Sequence, residues 1–125
     1  MADADRYGAK TVRIIQTSVP VLEVWDSRES VFEDILKIVV DVEKEILAVD
    51  AELHADLEQL LLDQGSGQEV LWGANVYPLK GKESPDFLEF TALINIRPSF
   101  GNKSMEVVDP SVRKHIREIV SRLLV

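Results

Sequence analysis

The chain has 125 residues, with 22 Asp and Glu against 14 Lys and Arg, a formal net charge of −8, and no cysteine. This length suits one domain with its own hydrophobic core, and the lack of cysteine excludes disulfide scaffolds, thiol catalysis and cysteine-based zinc sites. The apolar runs are too short to cross a bilayer, and residues 1–10 lack the apolar stretch of a signal peptide, so we expect a cytoplasmic protein without membrane attachment.

The charge is unevenly distributed along the chain. Residues 41–69 contain nine acidic residues and one lysine, whereas residues 97–125 contain six basic and three acidic residues. The overall acidity argues against nucleic acid as a partner, because phosphates would be repelled. The two stretches either attract each other, within the fold or across a homodimer, or form separate solvated faces.

The first third of the chain predicts a loose arm followed by a strand and a helix. We expect residues 1–10 to form the arm and residues 11–125 to form a single domain. The β-branched segment 11–17 predicts a strand, and Pro20 suits the first turn of a helix. Apolar residues then recur at nearly helical spacing, although the pair Asp26-Ser27 is unfavourable there: Val21, Leu22, Trp25, Phe32, Ile35 and Leu36.

Residues 35–54 predict a β-hairpin. A two-residue turn at Lys44-Glu45 would place Val42 opposite Leu47 on an entirely apolar face. Lys-Glu is not a typical sequence for such a turn, so a loop of three or four residues is the alternative.

The second half predicts a short helix, a second hairpin and a long final helix. Asp56 is placed to cap the short helix and Gly65 to end it. Segments 70–77 and 87–97 alternate apolar and polar residues, as two strands of a hairpin would. Asp109 followed by Pro110 is a strong signal for the start of the last helix.

The predicted order is therefore β-α-β-β-α-β-β-α. Two hairpins without repeated β-α-β units favour an α+β fold with a largely antiparallel sheet of about five strands. We expect the helices to pack on one face of that sheet.

The two histidines are the first candidates for chemistry, since no phosphate-binding glycine loop, nucleophile motif or metal-binding motif is present. His115 lies among basic residues of the last helix and is expected at the surface. His54 follows Asp50 and Glu52 on one predicted strand face, so it could act as a general base. The alternative is that it bonds the start of the next helix. Asp50 and His54 are too far apart along a strand to share a metal ion, so we expect neither a metal nor a cofactor.

A second set of candidates lies on the predicted second hairpin. Asn75 and Tyr77 on the first strand and Asn95 and Arg97 on the second would project from the same sheet face, and Asn102 lies in the following loop. Such a face would bind a small anionic or polar ligand, with Arg97 as a bidentate clamp and loop amides supporting it.

An internal role is the alternative for this second set. Arg97 would then pair with Glu69 or Glu89, and the amides would bond the loop backbone.

Several strings occurring in order resemble an uncharacterised family of short prokaryotic proteins, known as a domain of unknown function. The strings are ELHAD at 52–56, LLL at 60–62 followed by GS and Q, LWG-x-N-x-YP at 71–78, and INIRP at 94–98 followed by GN and S. The resemblance runs from about Phe32 to the C-terminus and is weak over residues 1–31. Where the family tends to have glycine, this chain has Glu33 and Glu45. The resemblance implies a small cytosolic protein and transfers no activity or catalytic residue.

Three functions are consistent with these patterns. The first is a non-enzymatic module, forming a homodimer, that binds a partner protein or a small polar ligand. The second is a small hydrolase or transferase with His54 as base and Arg97 as anion clamp, which requires both within reach of one ligand. The third is an antitoxin-like regulator acting through the basic final helix, although the acidic middle disfavours DNA.

Overall fold

The computed structural model describes residues 12–125, so the predicted N-terminal arm lies outside the described residues. Its strands are β1 Arg13–Ile15, β2 Leu36–Asp41, β3 Ile46–Val49, β4 Leu71–Val76 and β5 Leu88–Glu89. Its α-helices are α1 Val21–Ser27, α2 His54–Asp63 and α3 Pro110–Leu123. Short 3-10 helices lie at Gln68–Val70, Pro78–Lys80, Leu93–Asn95 and Pro98–Phe100.

The strands form one antiparallel sheet in the order β1-β3-β2-β4-β5. The α+β class and the five-stranded antiparallel sheet are therefore confirmed. The long strands β2 and β4 pair over six residues at the centre, whereas β5 pairs with β4 at two positions only. Most of the outer edge of β4 is thus left without a partner strand.

Helices cover both faces of the sheet, which corrects the expectation that they pack on one face. In β2, Ile38 and Val40 belong to the main core with α1 and α3, while Val39 packs with Leu57 and Leu61 of α2. The central strands are apolar on both sides, the pattern of strands buried between two layers. The alternation within the hairpins predicts one polar face of the sheet. Val39, Ala48 and Leu71 lie on that face, however, and belong to the second apolar cluster with α2.

The β2–β3 hairpin closes with a four-residue loop, 42–45, so that Asp41 pairs with Ile46 and Val40 with Leu47. The predicted two-residue turn is therefore wrong. The pairing of the two strands is shifted by two residues, and the loop has the four residues of the alternative. The Asp41 carboxylate explains this, because it accepts the backbone N–H groups of Glu43 at 2.9 Å and Lys44 at 2.8 Å. An even shift keeps the same side chains on the core face.

Two helix boundaries also differ from expectation. The first helix ends at Ser27, whose hydroxyl donates to the carbonyl of Glu23 at 2.9 Å, so Phe32 and Leu36 are not part of it. The second helix begins at His54 rather than after Asp56. Asp56 lies instead in its first turn, where a negative charge still complements the helix dipole. The last helix begins as predicted, with the Asp109 side chain accepting the N–H of Ser111.

Gly73 explains why the segment after β5 leaves the sheet. A Cβ atom at Gly73 would lie 2.5 Å from the Cβ of Ala92 and 3.1 Å from Cγ1 of Ile94. The chain therefore folds across the glycine rather than extending alongside β4, and the predicted strand over 87–97 is wrong beyond Glu89.

We predict that Gly73→Ala destabilises the protein by about 1–3 kcal/mol, because the new methyl group has no space against Ala92. Chemical denaturation followed by circular dichroism measures the loss. Gly67→Ala is the matched control, since the three atoms nearest to its Cβ all belong to the Glu69 carboxylate, the end of a flexible side chain. Equal stability of Gly73→Ala and wild type would contradict the close approach.

Candidate functional site

The structure separates the five predicted ligand-binding residues into two groups. Asn75 and Tyr77 meet at one carboxylate, since the Asn75 amide and the Tyr77 hydroxyl both donate to Oε1 of Glu89, at 2.8 and 3.0 Å. Asn95 and Arg97 lie further along the outer edge of β4, where Asn102 bonds the backbone of Asn95. The four side chains predicted to share one sheet face therefore do not converge.

Arg97 is a structural residue in this arrangement. Its guanidinium donates to the carbonyls of Ile94, Gln68 and Leu71, and it lies 4.7 Å from the centroid of the Trp72 ring. The residue is 7% exposed. Burial lowers the pKa of Arg97, and the charges of Glu58 and Glu69 act in the opposite direction.

Asn95 and Asn102 hold the loop against β4. The Asn95 oxygen accepts the N–H of Gly73 at 2.8 Å, and its amide nitrogen donates to the carbonyls of Gly73 and Met105, both at 3.0 Å. The Asn102 amide nitrogen donates to the carbonyl of Asn95 at 2.8 Å, and its oxygen accepts the N–H of Val108 at 3.0 Å. These contacts match the alternative of an internal role, in which the two side-chain amides bond the backbone.

His54, the predicted general base, and Asn75 both line a cleft of about 340 Å³ between the start of α2 and the segment after β5. Its walls are mainly apolar. The lining residues are Ile35, Lys37, Leu53, His54, Ala55, Asn75, Thr91, Ala92, Leu93, Ile94 and Met105. Arg97 is not among them, so the cleft does not combine His54 with Arg97.

His54 is neutral in this cleft at neutral pH. Its Nε2 lies 2.9 Å from the carbonyl oxygen of Ala74 and must carry the proton, because a carbonyl only accepts. Burial lowers the pKa of His54, the hydrogen bond to the Ala74 carbonyl raises it, the charge of Lys37 lowers it further, and hydrogen bonding of the charged ring with the Asn75 side chain raises it. The Nδ1 atom of the neutral ring is therefore an acceptor.

Asn75 carries an unsatisfied acceptor. Its amide nitrogen donates to Glu89 and, at 3.1 Å, to the carbonyl of Thr91, which fixes the orientation of the amide. Its Oδ1 is buried and accepts no hydrogen bond within residues 12–125. A buried acceptor without a partner costs about 1–3 kcal/mol, so its presence at a cleft is an informative exception.

Tyr77 and Lys37, the polar residues near Asn75, already interact with other groups of the protein. Burial, the bond to Glu89 and the charges of Glu89 and Asp34 raise the pKa of Tyr77 to about 12. The Lys37 ammonium donates to the carbonyl of Glu52 at 2.7 Å and lies 4.8 Å from the centroid of the Phe32 ring.

The opposite charges of the chain meet partly within the fold. Glu45, in the β2–β3 loop, lies 3.1 Å from Nε2 of His115 and 3.2 Å from the Arg122 guanidinium. His115 is thus at the surface, as predicted.

Among residues 12–125, no three side chains of the types that ligate metals lie together as an ion would require. No helix in the described part of the chain is long and apolar enough to cross a membrane.

Comparison with protein families identifies the family of this chain. Residues 13–123 match the model of a family described as a protein of unknown function, DUF5674. The chain belongs to the DUF5674 family. The uncharacterised family inferred from the sequence is thereby confirmed, and the match extends to β1, well before Phe32. No curated protein and no solved structure matches the DUF5674 chain.

The apolar rim of the cleft was not predicted from the sequence. Leu53, Leu93 and Met105 are 58, 70 and 40% exposed, and they come from the residue before α2, a 3-10 helix and a loop. Such short segments have no periodicity that marks a shared surface, so nothing in the sequence brings these three together. The one available signal was Gly73, a glycine within a strand, which often marks close approach of another segment.

We predict that His54 makes stability depend on pH. Its folded pKa lies below the unfolded value, so the unfolded chain binds a proton first as the pH falls. The contribution of neutral His54 to the free energy of unfolding is complete above about pH 6.5. It decreases below that pH until the folded histidine is also protonated. Urea unfolding at about pH 7.5 and 5.5 measures it. His54→Gln retains an N–H donor for Ala74 and should lose less stability on acidification than wild type. An equal loss in both proteins would contradict the prediction.

Proposed function

We propose that this DUF5674 protein is a non-enzymatic binding module, and that the cleft at His54 and Asn75 takes a small ligand with an apolar body. The observation that carries this proposal is the buried, unpaired Oδ1 of Asn75 beside a largely apolar cleft. A volume of about 340 Å³ is within the range of small-molecule sites.

The exposed rim supports the same proposal. Leu53 and Leu93 present apolar surface to solvent at the cleft mouth, and a bound ligand would cover it. A few polar atoms within apolar walls are what fix the orientation of a small ligand.

The hydrolase or transferase hypothesis receives less support. It requires Arg97 as an anion clamp near His54, but the Arg97 guanidinium bonds three backbone carbonyls and does not line the cleft. Binding without catalysis needs only the groups that the cleft contains.

The homodimer, the cytoplasmic location and the prokaryotic source remain predictions. The contacts of Glu45 with His115 and Arg122 use part of the opposite charge within one chain, so they weaken the electrostatic reason for a dimer.

We predict that aromatic fragments bind in the cleft and that Ala55→Phe weakens them at least about tenfold, because the exposed Ala55 lines the cleft and a larger side chain would occupy it. Two-dimensional ¹H–¹⁵N NMR with a fragment mixture is the measurement. The expected shifts cluster at the amides of His54, Asn75 and Ala92.

Gln59→Phe is the matched control, because this exposed residue is one turn further along α2 and does not line the cleft. It should leave fragment affinity unchanged. Binding that survives Ala55→Phe, or a fragment library without any effect on the cleft amides, would contradict the proposed function.

A further inference from the structure

Three nitrogen side chains that line the cleft donate hydrogen bonds within the protein. The Asn75 amide nitrogen bonds Glu89 and Thr91, Nε2 of His54 bonds Ala74, and the Lys37 ammonium bonds the Glu52 carbonyl. Each of these donors has at least one acceptor within the protein.

One buried acceptor remains beside the cleft. Oδ1 of Asn75 has no hydrogen bond among residues 12–125, and the neutral His54 ring adds an acceptor atom, Nδ1. Both side chains line the cleft, and the Asn75 side chain is a hydrogen-bond partner of the charged His54 ring. The Asn75 nitrogen is directed at Glu89, so the oxygen is the part of the amide that remains for the His54 side.

We propose that the cleft selects a neutral ligand that donates hydrogen bonds: an apolar or aromatic group carrying an N–H donor, which Asn75 Oδ1 accepts. This inference rests on the proposed function and gives its ligand class. It reverses the sequence-based expectation of a small anion, because an anion would bring a third acceptor against Asn75 Oδ1 and His54 Nδ1.

Access to the oxygen requires side chains of the cleft to move, because Asn75 is only 6% exposed. Leu93 is 70% exposed and Met105 40% exposed, and the unbranched thioether chain of methionine adapts readily to a bound group.

Three ring compounds of similar size test the inference. Benzamide carries N–H donors, methyl benzoate is neutral without a donor, and benzoate is an anion without a donor. We expect benzamide to shift the amides of His54, Asn75 and Ala92, and the other two to bind at least about fivefold more weakly, the value of one hydrogen bond to a buried acceptor. Titration followed by ¹H–¹⁵N NMR measures all three affinities.

Asn75→Ala should reduce benzamide affinity to that of methyl benzoate. Tyr77→Phe is the matched control, because it also removes a donor from Glu89 but lies outside the cleft lining. If Asn75→Ala does not fold, the three-compound comparison on the wild-type protein still decides the question.

The outcomes separate the two proposals. Methyl benzoate binding as tightly as benzamide would show that the apolar walls alone select the ligand, and the donor inference would be wrong. Tighter binding of benzoate would make the cleft an anion site with Lys37 as its cation, and would also overturn the inference. In both cases binding at the cleft stands. If none of the three compounds binds while other fragments do, only the inference falls; if no fragment binds, the proposed function falls with it.

Discussion

The outer edge of β4 is the constraint on which the rest of this structure depends. A sheet edge exposes backbone N–H and C=O groups that must find partners when they are buried. Beyond Asn75, strand β5 no longer supplies them. The Asn95 side chain then bonds both backbone groups of Gly73, and Arg97 bonds the carbonyl of Leu71. Side chains therefore replace the missing strand.

This solution determines where the cleft lies. Because Asn95 and Arg97 reach back to β4, the segment before them folds over Gly73, with Ala92 and Ile94 against the glycine. The same segment forms one wall of the cleft, and the start of α2 forms the other. Asn75 lies at the transition, where its amide nitrogen serves the end of β5 and its oxygen is left without a partner. The candidate site is thus a consequence of how the sheet edge is completed.

Much of the fold can be predicted from the sequence, since hydrophobic alternation identifies β2, β3 and β4, and Asp109-Pro110 marks the start of α3. The end of β5 cannot be predicted in this way. Residues 88–96 alternate like a strand, and only the contacts of Asn95 and Arg97 with distant backbone groups show that they are not one. Both residues were expected to bind a ligand for the same reason: an amide or guanidinium suits a carbonyl as well as it suits a bound molecule. Asn75 lies on a strand as expected, whereas His54 was expected on a strand face with Asp50 and Glu52 and instead begins α2, because β3 ends at Val49. Their shared cleft depends on α2 packing on the second face of the sheet.

Amide hydrogen exchange at Gly73 measures whether side chains complete the outer edge of β4, because this N–H bonds a side chain instead of a strand. We expect the Gly73 amide to exchange as slowly as the amides of β2, and Asn95→Ala to accelerate Gly73 selectively while β2 stays protected. A Gly73 amide that exchanges as fast as an exposed loop amide in the wild-type protein, or one that keeps its protection in Asn95→Ala, would contradict this expectation.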